Sequence, residues 1–486
     1  MIYKLRPYQE ECVKSISDYI NSDRHDPVLI VGPVGCGKSL LIAEAARLMG
    51  DKTLILQPSK ELLQQNHDKI TSYGIPATIY SASCGKKELS NMIYATLGSI
   101  KKVVDKLKEM GIRNVLIDEA HAGYSPEDGS EFMTFMNELK PKKVIGFTAT
   151  PCRLKTMSIG QVSYSQLNFI TRMRPVYFKN LIHVIQVEEM IRQGFWTPLK
   201  YETWDFNGDA LKLNSNGSEY TAESISEAVR KNGLNNLILR RLMVLKDVCR
   251  SILVFMDSVE SCNTAAEWMN AKICAGMAEV VHGGTPKKQR EAIVERFKSG
   301  GTRVVFNYSA LGTGFDHPGL DCVIVGRPTF SFSSFYQWLG RAVRIKDGKD
   351  SALVVDCCNN SSRFGDIRKL SIENYKGYGW GMFIGDKLIT NIPMGDKVTK
   401  TDLDIKAAKK DRRRGLAQGV TAAPVPGRPD HPLGSTVMTF GKYCGWMLHS
   451  IPVSYFKFIN ETFDWDNDRN KDIKEYIDFL IKNNRL

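Results

Sequence analysis

Eight consecutive residues, Gly32-Pro33-Val34-Gly35-Cys36-Gly37-Lys38-Ser39, have the types and spacing that cradle a phosphate chain. Glycines let backbone N–H groups curl around the oxygens, and a following helix adds its positive N-terminus. Lys38 would neutralise the outer phosphates, and the Ser39 hydroxyl would ligate Mg²⁺. The loop follows an apolar run, Val28–Val31, and opens an amphipathic one, Leu40–Leu48, which is the strand-to-helix context this chemistry needs. Gly35, Cys36, Gly37, Lys38 and Ser39 are therefore candidate ligands for ATP with Mg²⁺.

Further along, Asp118-Glu119-Ala120-His121 ends the apolar run Val115–Ile117. A carboxylate at a strand's C-terminal end points into the crevice where α/β proteins bind ligands. Asp118 suits Mg²⁺, shared with Ser39, and Glu119 suits orienting and deprotonating an attacking water. Thr148-Ala149-Thr150 follows another strand end. Its hydroxyls either cap a turn or bond the acidic tetrapeptide, so that His121, Thr148 and Thr150 relay the state of the γ-phosphate.

These residues need rigid elements behind them. Candidate strands are Val28–Val31, Thr53–Leu56, Val115–Ile117 and Val144–Phe147, with a helix at Lys60–Ile70. A second alternating series runs through Ile252–Phe255, Glu279–Val281, Arg303–Phe306, Cys322–Val325 and Ala352–Val355. Two such series in 486 residues predict two α/β lobes, since one core rarely organises a chain of that length. Turn signals at Asn207-Gly208-Asp209 and Asn214-Ser215-Asn216-Gly217 suggest the join. Past the second lobe, 376–396 reads as a small β element and 397–414 as a basic helix or tether. A proline-rich linker, 415–434, leads to a small aromatic module ending in a helix, Asp472–Lys482.

Composition narrows the setting. The 66 Lys and Arg exceed the 53 Asp and Glu, a net charge of +13, which favours a polyanionic partner. The 11 cysteines are scattered without any Cys-x-x-Cys, so a reducing compartment without structural zinc is expected. No apolar run approaches the roughly 20 residues needed to span a bilayer, and the first residues carry no apolar signal core. A cytoplasmic protein of a bacterium or phage-infected host, with no membrane partner, is the expectation.

The order Gly32–Ser39, Asp118–His121, Thr148–Thr150 resembles the superfamily 2 helicases and translocases of the DEAH type. That resemblance implies two tandem RecA-like parallel-sheet lobes with an ATP cleft between them, and here a small C-terminal module. Leu5-Arg6-Pro7-Tyr8-Gln9 matches the element that reads adenine in the family, with Arg6 and Gln9 as cofactor residues. Gln337-Trp338-Leu339-Gly340-Arg341-Ala342-Val343-Arg344 resembles the last family motif. Arg341 and Arg344, spaced for one helical face, would act as arginine fingers, and Gln337 would couple the lobes. Leu311-Gly312-Thr313-Gly314-Phe315-Asp316 resembles the adjacent motif, with Gly314 permitting close approach and Asp316 bonding ribose or a finger.

A track for the nucleic-acid strand is implied away from ATP. Its candidates are Pro58, Ser59 and Lys60, then Thr96 and Ser99, and in the second lobe His282, Gly283, Asn307 and Tyr308; each is equally a plausible capped turn. Leu5–Gln9, Gly37–Leu40, Lys60–Leu62, Gln65–His67 and Gly194–Pro198 are similar to RadD-like bacterial and phage DNA helicases. The chain departs from that subgroup in lacking its cysteine-rich zinc elements after the second lobe. The predicted domains are 1–205 (ATP-binding lobe), 206–368 (arginine-finger lobe), 369–434 (connector) and 435–486 (accessory module). DNA with single strands, forks or branches is the expected partner, with RNA as the alternative. Arg412–Arg414 reads either as a phosphate grip or as a solvated run.

Overall fold

A computed structural model of the chain describes residues 4–50, 52–159, 162–312, 315–407, 431–439, 443, 446–451, 453–462, 465 and 470–483. Gly314 and Arg412–Arg414 lie outside these residues. The chain divides into two compact units, one of residues 1–374 with 380–398, the other of residues 375–379 with 399–486.

The first unit holds two large sheets, besides smaller ones. Eight strands build the first: β1 (Val28–Val31), β2 (Thr53–Leu56), β3 (Thr78–Ser81), β4 (Lys86–Lys87), β5 (Met92–Ala95), β6 (Asn114–Ile117), β7 (Lys143–Thr148) and, beyond the hairpin β8 (Cys152–Ile159) and β9 (Val162–Phe169), β10 (Asn180–Val184). Their spatial order is β10-β1-β7-β6-β2-β5-β3-β4, parallel throughout except for the β3–β4 pair. β1, β2 and β7 are buried along their whole length, which explains their apolar reading; β5 is buried as fully but is not among the strands expected from the sequence. Helices α1 (Pro7–Asn21), α2 (Lys38–Met49) and α3 (Lys60–Ser72) belong to this lobe.

The second sheet comprises β11 (Leu199–Thr203), β12 (Ile252–Phe255), β13 (Ala278–His282), β14 (Val304–Tyr308), β15 (Cys322–Val325) and β16 (Ala352–Asp356), in the order β11-β16-β15-β12-β14-β13, all parallel. Because β11 pairs with β16, the change of sheet falls between Val184 and Leu199 rather than at 205/206. The turns at 207–217 instead follow that first strand of the second lobe. One apolar cluster runs from Tyr8 through β1–β7 to Phe332, Leu339 and Val343, so the lobes share packing. The β element expected in 376–396 is a hairpin, Gly379–Ile384 with Lys387–Leu388, at the middle of a four-stranded sheet, and its Met382 and Ile384 join this cluster.

In the second unit, residues 400–407 are helical. A separate core of Met438, Leu448, Ile451, Phe456, Ile459, Ile473, Tyr476, Ile477 and Leu480 lies between helices Val453–Thr462 and Lys471–Lys482. Phe456 and Tyr476 are thus committed to packing. Among the described residues no helix is long and apolar enough to cross a membrane.

Candidate functional site: a nucleotide cleft between two lobes

Parallel strands deliver their C-terminal ends to one edge, and the site grows from there. Residues after β1 turn sharply through Gly35 and Gly37, both at φ +84°, a conformation open to glycine at little cost. At Gly37 space is equally limiting, since a Cβ would stand 2.6 Å from Gln9 Nε2. The following α2 begins at Lys38 and aims its first-turn N–H groups into the loop. This geometry fits an anion chain.

Lys38 Nζ pairs with Glu119 Oε1 at 2.9 Å. Burial works against the lysine's charge, but Glu119 and Asp118 outweigh it and raise its pKa. Burial likewise opposes the Glu119 charge, and Lys38 lowers its pKa regardless. Glu119 adopts φ +46°, a strained setting for a side-chain-bearing residue. It is pinned there as Asp118 Oδ1 accepts its N–H at 2.9 Å. Among the described residues its buried Oε2 has no hydrogen-bond partner. An acceptor so placed fits a water to be oriented and deprotonated.

Asp118 stands beside it, 4% exposed, with burial and then the Glu119 charge raising its pKa to about 7. Asn66 ties it to the loop: Ser39 Oγ donates to Asn66 Oδ1 at 2.6 Å, and Asn66 Nδ2 donates to Asp118 Oδ2 at 2.9 Å. The hydroxyl and carboxylate expected to hold Mg²⁺ are thereby joined through one amide. A hard oxygen pair of this kind suits Mg²⁺ beside phosphates, where the ion would screen the charge developing on the transferred group.

The second lobe closes the cleft. Gln337, Gly340, Arg341, Arg344, Phe315 and Asp316 line the same pocket as Lys38, Ser39, Asp118 and Glu119. Gly340 touches the loop itself, and a Cβ there would lie 2.6 Å from Val34 Cγ2. The sequence predicts both arginines on one helical face, but the helix Phe332–Leu339 ends before them. Arg341 and Arg344 sit in the turn beyond, their positions set by hydrogen bonds instead. Arg341 donates to the carbonyls of Phe315 at 2.5 Å and Gly312 at 2.7 Å. Arg344 pairs with Asp316 at 2.8 Å, so Asp316 meets a finger, as one of its two expected roles requires. Burial and then the Arg344 charge lower the Arg341 pKa to about 10.

Gln9 differs from expectation. Its Nε2 donates to the Cys36 carbonyl at 2.9 Å, and its Oε1 accepts from Arg6 N–H at 3.0 Å. Both ends of the amide meant for adenine are spent on backbone, so a base would have to exchange them. Arg6 stacks over Phe195 at 4.6 Å, and Tyr8 O–H donates to the same Cys36 carbonyl at 3.2 Å.

His121 Nδ1 lies 2.8 Å from Thr148 Oγ1, joining two of the coupling residues. Gln337 lines the cleft, yet its side chain makes no hydrogen bond among the described residues. Track candidates leave the ends of β2, β5, β13 and β14, and their present bonds are those of capped turns. Ser59 Oγ accepts from Leu62 N–H at 3.3 Å, Thr96 Oγ1 donates to Ser99 Oγ at 3.2 Å, and Asn307 Oδ1 accepts from Leu311 N–H at 2.8 Å. Pro58, Lys60 and Gly283 are exposed, whereas Tyr308 is half-buried.

Sequence reasoning gave no site role to Asn66, Lys69, Ser333 or Trp196. Leu62, Asn66 and Lys69 recur at helical spacing on α3 and all line the cleft, a signal that was available. Trp196 is 2% exposed and donates from Nε1 to the Val34 carbonyl at 2.8 Å, bracing the loop from β11's approach.

Comparison with known proteins agrees with this architecture. A family model described as the type III restriction enzyme res subunit matches residues 2–153, and one described as the helicase conserved C-terminal domain matches residues 235–346. A 51.5 kDa protein of a Lactococcus phage is 24% identical over 332 residues, covering 68% of this chain and 65% of its own length. The DNA 3'-5' translocase XPB2 of Sulfurisphaera tokodaii is 25% identical over 383 residues, covering 72% of this chain and 81% of that protein. Among solved structures, the ATP-dependent type ISP restriction-modification enzyme LlaBIII bound to DNA superposes with a TM-score of 0.54 at 15% identity, over 86% of this chain and 30% of that one. That likeness concerns the fold. The chain spans 65%, 38% and 58% of the lengths of three curated relatives, the phage protein and two yeast helicase relatives. Two RecA-like lobes around a nucleotide cleft define the class of protein. The two models lie in that order on one chain, which is the arrangement of a superfamily 2 helicase or translocase.

Proposed function

We propose that the chain is an ATP-dependent helicase or translocase that moves on DNA containing single strands, forks or branches, in the manner of the RadD-like proteins. One observation carries the reading: Lys38, Ser39, Asp118 and Glu119 of one lobe and Asp316, Arg341 and Arg344 of the other line a single pocket. ATP with Mg²⁺ occupies it in this reading. Glu119 orients water, Lys38 and Ser39 hold the phosphates and metal with Asp118, and the arginines stabilise the transferring phosphoryl group. Closing and reopening the cleft alters the lobes' grip on a strand held mainly by its phosphates along Pro58–Lys60, Thr96–Ser99, His282–Gly283 and Asn307–Tyr308. A net charge of +13 and a DNA translocase among the relatives support DNA, and the phage relative supports a bacterial or phage-infected cytoplasm.

The deciding experiment compares ATP turnover with single-stranded DNA, forks, four-way junctions, duplex DNA and RNA. Strong stimulation by DNA with single strands or junctions is expected. Preferential stimulation by RNA would assign an RNA helicase. Turnover indifferent to every polynucleotide would remove the motor assignment.

A further inference from the structure

Where the lobes meet behind the cleft, a chain of side chains crosses from one to the other through a residue outside every motif recognised in the sequence. Ser333 lies in the first turn of the helix Phe332–Leu339 of the second lobe, whose end leads into Arg341 and Arg344. Its Oγ lies 3.1 Å from His121 Nε2 and 3.2 Å from Thr150 Oγ1, both of the first lobe. His121 Nδ1 in turn lies 2.8 Å from Thr148 Oγ1, and it flanks Glu119 Oε2 at 3.4 Å without a hydrogen bond to it. Thr148 Oγ1 also accepts the Thr150 N–H at 3.0 Å. The chain thus closes on itself, with Ser333 as its single second-lobe member.

We propose that Ser333 is the positioning residue that couples lobe closure to the orientation of Glu119. A hydroxyl suits this place because it both donates and accepts. Whichever nitrogen of His121 carries the proton, Ser333 can complete the chain, accepting from Nε2–H while donating to Thr150, or donating to Nε2 directly. Burial keeps the His121 ring neutral, its pKa lowered to about 4, so one ring nitrogen donates and the other accepts. When the lobes part, His121 and Thr150 lose this partner and the side chain flanking Glu119 is freed. Ser333 stands one helical turn before Gln337, to which the sequence assigns the coupling, and it makes the contact that Gln337 does not.

This rests on the nucleotide-cleft reading, and the test separates the two. ATP turnover of the full chain is measured for the wild type, Ser333→Ala, Ser333→Thr, His121→Ala and the double variant, with thermal unfolding midpoints to monitor the fold. Ser333→Ala is expected to lower kcat by about three- to tenfold, the worth of one neutral hydrogen bond. The KM for ATP stays within about twofold, because the lost contact acts on chemistry rather than binding. Ser333→Thr restores kcat, and Ser333→Ala adds nothing in the His121→Ala background, as two members of one chain must behave. Full turnover in Ser333→Ala, a loss that threonine does not restore, or losses that multiply in the double variant would each overturn the proposal. A wild type that hydrolyses no ATP would instead overturn the cleft reading beneath it.

Discussion

Lys38 and Glu119 pair at 2.9 Å, and this pairing sets the chemistry of the cleft. A triphosphate offers the lysine more negative charge than one carboxylate does, so its arrival releases Glu119 toward water. Replacing Glu119 by Gln should therefore split binding from turnover. In Glu119→Gln, kcat for ATP is expected to fall about 10²- to 10⁴-fold, the range for loss of a general base. ATP should bind at least as tightly, since Lys38 no longer has a carboxylate to exchange. Equilibrium binding of a fluorescent ATP analogue alongside steady-state turnover checks both halves, and a joint loss of binding and turnover would contradict the assignment. Asn66 works one step further out. Its amide holds Ser39 and Asp118 together, and outer partners of metal ligands commonly matter about 10- to 100-fold. Asn66→Ala should raise the Mg²⁺ concentration needed for half-maximal turnover by about tenfold while sparing the maximal rate at saturating Mg²⁺. The sequence exposed Lys38, Ser39, Asp118 and Glu119 because the chemistry fixes their types and spacing. Asn66 is fainter in the sequence: its role comes from α3 lying across the loop, and only its helical spacing with Leu62 and Lys69 points to the cleft.

At the scale of elements, the strands read correctly were those buried on both faces, such as β1, β2 and β12, whose side chains are uniformly apolar. Among those missed, β5 is as buried and apolar as these, whereas others mix polar and apolar residues. In β10 and β11, Asn180-Leu181-Ile182-His183-Val184 and Leu199-Lys200-Tyr201-Glu202-Thr203 lie at sheet edges and are only partly covered. Missing β11 moved the expected lobe boundary past a strand that hydrogen-bonds to β16. The helical reading of Arg341 and Arg344 failed for another reason. Spacing alone cannot see that Gly340 packs on Val34 and that carbonyls of the loop before β15 draw Arg341 out of helical register. The approach to β11 also braces the phosphate loop through Trp196, and this yields a test at the same scale. Trp196→Phe keeps an aromatic ring in the buried site but removes the Nε1–H donated to the Val34 carbonyl. The expected result is a stability loss of about 1–3 kcal/mol, the cost of a carbonyl left unpaired plus a smaller ring. It should come with a raised KM for ATP, read from urea midpoints and ATP titration. An unchanged KM would show that the loop holds its shape without this brace.

The whole first unit behaves as one packed body because the two sheets share an apolar cluster, so a group buried in one lobe weighs on the stability of both. His317 is the clearest case away from the cleft. It is 5% exposed, its Nε2 lies 2.8 Å from Ser251 Oγ, and its ring packs 5.1 Å from that of Phe297. Burial, with the positive charge of Lys298, Lys346 and Lys349 nearby, lowers its pKa to about 4; Asp316 opposes the shift without cancelling it. The unfolded chain would protonate an ordinary histidine near pH 6.5. Above that pH both states hold His317 neutral and nothing changes. As pH falls from about 6.5 toward 4 the unfolded state takes up a proton that the folded state refuses, so stability declines across that window and levels below it. The full shift corresponds to about 3 kcal/mol, and partial solvent access reduces the expected loss to about 1–3 kcal/mol. His317→Gln keeps a polar partner for Ser251 and cannot titrate. Its urea midpoint should therefore be lower than that of the wild type at pH 8, from imperfect packing, and the gap should narrow as the pH approaches 4.5. Parallel pH profiles for the two proteins would mean that the imidazole gains its proton while still folded, and that acid sensitivity between pH 6.5 and 4 has another origin.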